Sequence, residues 1–528
     1  MTIRNYQNHL SALETTPILA SLCQLQRGIE RECLRVDQNG HIAQTPHPIA
    51  LGSPLTHPSI TTDFSEALME LITPVTTQID ELLRTLNHIH VYIYQHLGDE
   101  ILWAASMPCI LPNDELIPLA NYGHSNIAQQ KTIYRRGLGH RYGRLMQTIA
   151  GIHYNFSLPD QFWQHYQSIC GDQGNLQDFI TRSYFHLIRN FRRYSWLLLY
   201  LFGASPVVCK SFLQGREHRL LSFDQGSLFG PDATALRMGQ LGYQSHVQSQ
   251  LNISYNCLGQ YLHGLTDAIQ TPHWQYEKIG IKRDGEYQQL SGNILQIENE
   301  FYSTIRPKRA TPSGEKPANV LKAKGVEYIE IRLLDINPYL PLGIDKSQIQ
   351  FLDTFLLYCL FKDSPFENET DLKDIKENQS LMVEQGRSRN LELWQHGERR
   401  HFTQWATEIF AELSPIAKLL DQAQNQTNQH QTDQHQTVVR QNQSLLDHPH
   451  ATPSGRILAQ MGNTEVPFFR FAMNQSLAHR SYFRNQELNQ EQIKYYDFLV
   501  SQSLEKQKEI EQADSLDFDT FLQQYFDQ

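Results

Sequence analysis

QRGIERECLRV (residues 26–36) predicts a long β-strand that carries an unusual number of charges for its apolar flanks. Because side chains on a strand alternate between its two faces, Glu30 and Glu32 share one face, and Arg31 and Arg35 lie on the opposite one. Two neighbouring carboxylates repel each other, so they need protonation, arginine partners or a cation. The alternative interpretation is a solvated strand face.

Two later segments also predict strands with polar side chains on them. Ile152–Leu158 (IHYNFSL) alternates apolar and polar residues and includes His153. In Val326–Leu333 (VEYIEIRL), Glu330 and Arg332 share one face. The simpler alternatives are a structural core histidine and a same-face ion pair.

The segment Thr62–Ile72 (TDFSEALMELI) predicts the start of a helix. Asp63 and Glu66 have the spacing of a capping box, so a structural role is the first interpretation for both. Glu70 follows Asp63 by two helical turns and lies among apolar residues, where a carboxylate needs a partner. We therefore expect Asp63 and Glu70 near one stripe of this helix.

The remaining pattern predicts an α+β enzyme. Leu295–Ile305 favours another strand, whereas Gln78–Leu97 and Phe179–Leu201 have helical spacing of their apolar residues. Strands separated by long helical insertions do not fit a regular βαβ repeat. We expect residues 1–360 to form a catalytic body of sheet and helices.

Residues 361–528 predict a helical C-terminal support region. Within it, 489–512 favours a surface helix, and Asp514–Phe526 favours a terminal helix capped by Asp514 or Ser515.

The Gln-rich segment 422–443 is too polar to bury a core, which predicts a loop or linker. The alternative is a metal-binding tract, which would depend on His430 and His435 alone.

Composition excludes several classes of protein. The 528 residues include 45 Lys plus Arg and 56 Asp plus Glu, for a net charge of −11, which argues against nucleic-acid binding across the surface. Seven Cys without CxxC spacing favour neither a disulfide scaffold nor structural zinc. The longest apolar stretch, Trp196–Cys209, is interrupted by Gly203, Ser205 and Pro206, and the N-terminus has no apolar signal segment. We therefore expect a cytoplasmic protein without a membrane span.

The acidic residues come from at least three separated elements, and hard oxygen ligands of this kind suit Mg²⁺ or Mn²⁺. Mg²⁺ prefers a few carboxylates together with water and substrate phosphate, which points to nucleotide chemistry. Arg135, Arg136, Arg237 and the run 306–309 provide cations for phosphates. The sequence has no GxxxxGK[ST] loop, so any ATP would bind through metals and side chains on a sheet surface.

Several long motifs now show a resemblance that covers about residues 20–360. Together they resemble the proteobacterial type of glutamate–cysteine ligase, also called γ-glutamylcysteine synthetase. The motifs are RGIERECLRV (27–36), TTDFSEALMELITP (61–74), LMQTIAGIHYNFSLP (145–159), LFGASPVVCKSFLQG (201–215), LQIENEFYSTIRPKR (295–309) and GVEYIEIRLLDINP (325–338).

The resemblance implies a glutamine-synthetase-like fold, in which a curved, mostly antiparallel sheet forms an active-site funnel flanked by helices. It also implies the reaction. ATP phosphorylates the γ-carboxylate of L-glutamate, and the amine of L-cysteine attacks to give γ-glutamylcysteine, ADP and phosphate, the first step of glutathione biosynthesis. A monomer and competition by glutathione at the glutamate site are further implications.

The resemblance assigns roles to residues by motif. It implies Mg²⁺ ligands, for which Mn²⁺ can substitute, at Glu30, Glu32, Asp63, Glu70, His153 and Glu330. Arg332 and Arg135 would stabilise the transferring phosphoryl group. The cysteine pocket and a glutamate contact would include Tyr134, Arg237, Tyr243, Tyr302 and Gln147. Arg237 would hold the α-carboxylate of cysteine bidentately.

Two alternatives stay open from the sequence. A related carboxylate–amine ligase would keep the metal cluster and differ only in its acceptor pocket. A non-catalytic ligand sensor on the same fold would be expected to lose acidic ligands, and none of the six positions is lost.

Overall fold

The computed structural model describes most of the chain, in the ranges 6–14, 16–242, 247–248, 251–312, 314–427 and 433–528. Two sequence-based predictions lie outside the described residues: Tyr243 in the acceptor pocket and His430 as a metal ligand. In the described part of the chain, no helix has the length and apolar character that crossing a bilayer requires.

The strands are short except for the first. Their bounds are β1 (Gln26–Val36), β2 (Ile60–Thr62), β3 (Leu68–Ile72), β4 (Ile101–Leu102), β5 (Ile152–Ser157), β6 (Val207–Cys209), β7 (Leu221–Ser222), β8 (Ser227–Phe229), β9 (Lys282–Arg283), β10 (Glu286–Tyr287), β11 (Ile305–Lys308), β12 (Tyr328–Leu334), β13 (Glu392–Gln395) and β14 (Glu398–His401).

Helices make up most of the remaining regular structure. Their bounds are α1 (Tyr6–Leu13), α2 (Thr16–Leu22), α3 (Ile79–His96), α4 (Asn126–Tyr142), α5 (Asp160–Ile169), α6 (Leu176–Tyr194), α7 (Trp196–Phe202), α8 (Lys210–Leu213), α9 (Leu258–Gln270), α10 (Trp274–Ile279), α11 (Pro317–Lys324), α12 (Lys346–Phe361), α13 (Glu369–Gln385), α14 (Phe402–Thr427), α15 (Gln434–Ser444), α16 (Pro453–Thr464), α17 (Phe468–Arg484), α18 (Gln490–Ala513) and α19 (Phe518–Asp527).

One antiparallel sheet organises the molecule. Its strand order is β11-β12-β5-β1-β3-β2, with β4 paired to the end of β1. The alternation of β1 separates its charges as the sequence predicts. Arg27 reaches Asp353 of α12 (2.7 Å), and Arg31 donates to the carbonyl of Leu342 (2.9 Å), while Glu30 lines a cavity on the other face. Helices and an antiparallel sheet together confirm the α+β class.

The segment Thr62–Ile72 is not a helix, so that prediction is wrong. It forms the end of β2, a turn, and β3, which pairs with β1. The helical propensity of EALMELI is overridden because the strand completes the ladder along β1 and buries Leu68 and Leu71. Glu66 does not form a capping box with Asp63; its carboxylate accepts from the backbone N–H of His47 (2.7 Å) and of Asn121 (3.0 Å).

The prediction of a loop at 422–443 is also wrong for the residues that the structure describes. Helix α14 continues to Thr427, and α15 begins at Gln434. The few apolar residues, Ala423 on α14 and Val438 on α15, are buried where the two helices pack. His435 donates its backbone N–H to Asp421 (2.9 Å) and places Nδ1 2.9 Å from the same carboxylate, so it acts in packing.

Two smaller corrections concern element ends. In Leu295–Ile305 only Ile305 lies in a strand, because the Glu300 carboxylate accepts from the backbone N–H of Gln296 (2.7 Å) and closes a local turn. The cap of α19 is Asp517, whose side chain accepts from the N–H of Thr520 (3.0 Å), not Asp514 or Ser515. A disulfide joins Cys109 and Cys209.

Candidate active site

The five acidic residues predicted as metal ligands line one cavity of about 540 Å³. They are Glu30, Glu32, Asp63, Glu70 and Glu330. The strand register explains why they meet. Glu32 pairs with Glu70 across β1 and β3, Glu30 pairs with His153 across β1 and β5, and Glu330 pairs with Asn155 across β12 and β5. Directly opposed side chains on neighbouring antiparallel strands lie about 4.5–5.5 Å apart at Cβ, so four strands deliver their polar groups to one place.

His153 lies at the centre of the acidic residues. Its Nδ1 is 3.0 Å from Glu30 Oε2, 3.8 Å from Glu330 Oε1 and 4.0 Å from Glu70 Oε1. Its Nε2 is 3.7 Å from Glu32 Oε1. A single buried imidazole therefore touches carboxylates from three other strands.

Two of these carboxylates are disfavoured as anions. Burial raises the pKa of Glu70 well above its usual range, and the charges of Glu30 and Asp63 raise it further. Burial also raises the pKa of Glu32, with a contribution from Asp63. The positive charges of the protein therefore do not compensate for the burial of Glu32 and Glu70 as anions.

The other half is held ionised by neighbouring cations. Burial is the largest influence on Glu30 and opposes its ionisation, but the interactions with His153 and the charge of Lys308 together lower the pKa of Glu30. For Glu330, Lys308 and Arg332 outweigh burial in the same way and lower the pKa. Lys308 Nζ lies 3.6 Å from Glu330 Oε2, and Arg332 Nη1 lies 3.3 Å from Glu330 Oε1.

The donor set fits a hard divalent cation. Glu30, Glu70 and His153 each offer one ligand atom, and these atoms lie within 4.8 Å of one another. Glu330 Oε2 is buried and has no hydrogen-bond partner among the described residues. Carboxylate oxygens with one imidazole suit Mg²⁺ or Mn²⁺.

Arg332 and Arg135 approach the acidic residues from two sides of the cavity. Arg332 lies on β12 beside Glu330, and its buried Nε has no hydrogen-bond partner in the described ranges. Arg135 lies on α4, where its Nε contacts the carbonyl oxygen of Asp63 and its guanidinium sits 4.6 Å from the ring centroid of Tyr122. Asp63 lies in the turn between β2 and β3, so Arg135 also fastens that turn.

Three predicted substrate-binding residues line the same cavity: Tyr134 on α4, Gln147 in a short turn, and Tyr302 in a loop before β11. Arg237 is not among the lining residues that the structure describes. Its guanidinium is buried, donates to Asp335 (2.7 Å) and also binds the carbonyl of Leu334 (2.7 Å).

Other residues of the cavity wall were not predicted from the sequence. Gln248 accepts from the backbone N–H of Tyr302 (2.9 Å) and donates to the carbonyl of Glu300 (2.8 Å), which fixes the loop that carries Tyr302. Arg192 of α6 lines the cavity, and a charge inside an otherwise buried helix is a signal that could have found it. Lys376 on α13 reaches the cavity only through tertiary packing, which no local pattern reports.

Comparison with known proteins decides the family. Residues 10–382 match the family model described as glutamate-cysteine ligase. The chain belongs to the glutamate–cysteine ligase family. It is therefore an enzyme of the carbon–nitrogen ligase class that joins L-glutamate to L-cysteine.

Curated relatives of this ligase agree over nearly the whole chain. A glutamate–cysteine ligase of Alcanivorax borkumensis is 49% identical over 99% of this chain and 100% of its own length. One from Pseudomonas putida is 47% identical over 96% of this chain and 95% of its own length.

Solved structures give the same result. A glutamate–cysteine ligase from Francisella tularensis in complex with AMP has a TM-score of 0.89 and 34% identity, and covers 96% of this chain and 98% of its own. A bifunctional glutathione synthetase from Pasteurella multocida has a TM-score of 0.73 at 24% identity, covering 94% of this chain and 58% of its own, and so supports the fold alone.

Proposed function

We propose that this ligase uses ATP to convert the γ-carboxylate of L-glutamate into a γ-glutamyl phosphate, which L-cysteine then attacks. In the first step a carboxylate oxygen bonds to the γ-phosphorus, and the bond to ADP breaks. In the second, the amine nitrogen bonds to the acyl carbon, phosphate departs with the electron pair, and the amine loses a proton. The acidic cavity beside Arg332 and Lys308 is the observation that carries this proposal.

The six predicted ligands would hold Mg²⁺, or Mn²⁺ in its place. These are Glu30, Glu32, Asp63, Glu70, His153 and Glu330. Bound metal would supply charge neutralisation of the phosphates and orient the transferring phosphoryl group. The raised pKa of Glu70, and a buried Glu330 oxygen that accepts no hydrogen bond from the described residues, support a cation at this position. The AMP complex of the Francisella relative supports a nucleotide in the same fold.

The two arginines would act on the charge that develops during both steps. Phosphoryl transfer needs positioning and electrostatic stabilisation more than a protein nucleophile. Arg332 forms an ion pair with Glu330 through Nη1, and its Nε has no hydrogen-bond partner among the described residues. It can therefore bind an anion while it stays paired with Glu330. Arg135 can bind the same anion from α4.

The acceptor pocket would form around Tyr134 and Tyr302, with Gln147 as a glutamate contact. The two tyrosines line the cavity and are partly buried, which suits enclosure of a small thiol side chain. Arg237 and Tyr243 stay predictions for the cysteine side. Direct binding by Arg237 would require its guanidinium to give up contacts with Asp335 and the β12 carbonyls, so its present position favours support of the pocket from behind.

We also propose the broader features that the resemblance implies. The antiparallel sheet would curve into a glutamine-synthetase-like funnel, supported by the Francisella match. The enzyme would act as a cytoplasmic monomer in glutathione biosynthesis and be inhibited by glutathione. The division into a catalytic body (1–360) and a support region (361–528) would hold functionally, although α13 of the second part reaches the cavity.

The proposal is tested by ADP release from ATP, Mg²⁺ and L-glutamate, with and without L-cysteine. Glu330→Gln should reduce cysteine-dependent turnover about 100-fold or more, because it removes a charge that positions the phosphates. Glu327→Gln is the matched control, since Glu327 lies just before β12 with its side chain 48% exposed, and it should leave turnover unchanged. Turnover with another amine but not with cysteine would overturn the acceptor assignment, and equal turnover in both variants would overturn the metal site.

A further inference from the structure

Glu300 provides a buried carboxylate at the wall of the catalytic cavity and is not one of the six predicted metal ligands. Its side chain and that of Arg141 are both 0% exposed, and Arg141 Nη1 lies 2.9 Å from Glu300 Oε1. The same oxygen accepts from the hydroxyl of Tyr142 (2.6 Å), and Oε2 accepts from the backbone N–H of Gln296 (2.7 Å). Arg141 and Tyr142 both lie in the last turn of α4. Three donors, one of them charged, therefore hold this carboxylate in one orientation.

Glu300 is also linked to the middle of α4, the part of the helix that carries Tyr134. Gln296, whose backbone N–H binds Glu300, donates its side-chain Nε2 to the carbonyl of Tyr134 (3.2 Å). Gly137 leaves room for this amide, because a Cβ at that position would lie 2.2 Å from Gln296 Oε1. The turn that Glu300 closes therefore supports the backbone at Tyr134.

A second branch of the network reaches Tyr302. Gln248 donates from Nε2 to the hydroxyl of Tyr142 (3.0 Å) and to the backbone carbonyl of Glu300 (2.8 Å). Its Oε1 accepts from the backbone N–H of Tyr302 (2.9 Å). Because the Tyr142 hydroxyl accepts from Gln248 and donates to Glu300, the carboxylate fixes the direction of every hydrogen bond in this branch.

The two tyrosines pack in different apolar clusters. Tyr134 packs against a small cluster that includes Leu290 and Leu522, whereas Tyr302 packs against the main core of the molecule. Their separation therefore depends on what joins the two clusters, and the hydrogen bonds of Glu300 run from one to the other. A fully bonded buried network specifies one spacing, which apolar contacts alone leave adjustable.

We propose that Glu300 is a positioning residue that fixes the separation of Tyr134 and Tyr302 and thereby sets the affinity for L-cysteine. The inference rests on the proposed placement of both tyrosines in the acceptor pocket. A displacement of about 1 Å in a site can cost about 100-fold in rate, so loss of this anchor should weaken the binding of the small cysteine side chain. The ATP side depends on acidic residues that the strand ladders hold in place.

Steady-state kinetics of Glu300→Gln test the proposal. The variant keeps the size of the side chain, removes its charge and replaces one acceptor oxygen by a donor. The KM for L-cysteine should rise about tenfold or more, while the KM values for ATP and L-glutamate stay within about twofold of the wild type. No rise in the KM for L-cysteine, or an equal rise in all three, would overturn the proposal.

Glu298→Gln is the matched control for this measurement. Glu298 lies in the same short turn as Glu300 and is not among the described residues that line the cavity. All three KM values should stay at those of the wild type. A rise in the KM for L-cysteine as large as that of Glu300→Gln would refute a specific role for the Glu300 carboxylate.

Tyr142→Phe tests the network without breaking the buried ion pair. It removes only the hydroxyl between Glu300 and Gln248 and should raise the KM for L-cysteine about threefold, as the loss of one hydrogen bond predicts. Combined with Glu300→Gln, the effect should be smaller than the product of the two single effects, because the hydroxyl acts through the carboxylate. Independent, multiplicative effects would overturn the proposal.

Alanine variants of the two tyrosines separate this inference from the proposed function. Tyr134→Ala and Tyr302→Ala should each raise the KM for L-cysteine more than those for ATP and L-glutamate. If neither does so, the assignment of the acceptor pocket fails, and this inference fails with it. If both do so while Glu300→Gln and Tyr142→Phe behave like the wild type, only the positioning role of Glu300 is refuted.

Discussion

Two carboxylates of the same acidic cluster in the catalytic cavity, Glu70 and Glu330, have pKa values shifted in opposite directions. Burial and neighbouring acids raise the pKa of Glu70, while Lys308 and Arg332 lower that of Glu330 despite its burial. The protein's positive charges therefore outweigh burial on the Glu330 side of the cluster but not on the Glu70 side. A divalent cation would complete the other side, and this asymmetry has consequences for stability.

Glu70→Gln should stabilise the metal-free protein at neutral pH. Because the folded-state pKa of Glu70 is raised, the folded state holds a proton that the unfolded state releases above about pH 4.3, the ordinary value for Glu. Stability is thus lost as pH rises from that value through the folded pKa. In EDTA, the melting temperature of the variant should exceed that of the wild type and fall less steeply with pH.

Added Mg²⁺ gives the complementary result for the same pair of proteins. It should raise the melting temperature of the wild type by mass action and raise that of Glu70→Gln less. Glu327→Gln, at an exposed position outside the cluster, should follow the wild type in both conditions. Equal responses to Mg²⁺ in all three proteins would contradict a metal site at Glu70.

At the scale of elements, α12 is fastened to the back of the sheet by one buried carboxylate. Asp353 is fully buried and accepts from Arg27 of β1 (2.7 and 2.9 Å) and from the hydroxyl of Tyr154 of β5 (2.7 Å). Arg27 and Tyr154 lie on the sheet face opposite Glu30. These contacts therefore hold β1 and β5, the two strands that carry Glu30 and His153, in a fixed position against α12.

Asp353→Asn should lower the free energy of unfolding by about 3–5 kcal/mol, because it leaves the Arg27 guanidinium buried without its counter-charge. Chemical denaturation measures the change. Lys346→Ala, which removes a surface pair with Asp80 (side chains 42% and 73% exposed), should change the same free energy by less than about 1 kcal/mol. A decrease of less than about 1 kcal/mol in the free energy of unfolding of Asp353→Asn would show that the contacts of Asp353 do not stabilise the fold.

The elements also show what local sequence patterns can predict. The strand at 26–36 and the helix at 79–96 follow from periodicity, because their own side chains report the burial. Residues 68–72 could not be assigned correctly, since their partner β1 lies more than thirty residues away and overrides a helical composition. The same limit applies to α15, whose burial depends on α14.

Part of the catalytic cavity could be predicted from the sequence, and part of it depends on contacts that no local pattern reports. Glu30, Glu32 and Glu330 stood out because charge in an apolar strand is costly, which is a local signal. Asp63 and Glu70 were singled out on a predicted helix that is not there, and the ligand roles of all these residues came from the family resemblance. The engagement of Arg237 by Asp335 and the contribution of Lys376 were not predicted, because both depend on contacts between distant segments.

Across the whole molecule, the C-terminal helices support the catalytic cavity from outside. Leu522 of α19 is buried against Ile133 of α4 and Leu290, and Tyr134 packs against the same cluster. The start of α4 is tied to the same region, since Asn126 donates to the carbonyl of Leu516 (2.9 Å). The helix that presents Tyr134 and Arg135 is therefore positioned by residues almost four hundred positions later.

Leu522→Ala should weaken the docking of α19 by about 2–3 kcal/mol, as large-to-small core substitutions do. We expect a higher KM for L-cysteine with a smaller change in the KM for ATP, because Tyr134 is affected more than the acidic residues. Steady-state kinetics measure both values. Gln523→Ala, at an exposed position on the same helix, is the control, and identical kinetics in both variants would refute the coupling.

The division of labour between strands and loops has an evolutionary consequence. Glu30, Glu32, Glu70 and Glu330 are spaced by backbone ladders, whereas Tyr134 and Tyr302 sit on a helix and a loop. Under the proposed assignment, selectivity for the incoming amine would drift by substitution while the acidic residues keep their spacing. A saturation library at Tyr134 and Tyr302 would be a natural starting point for evolving catalysts that make other γ-glutamyl amides.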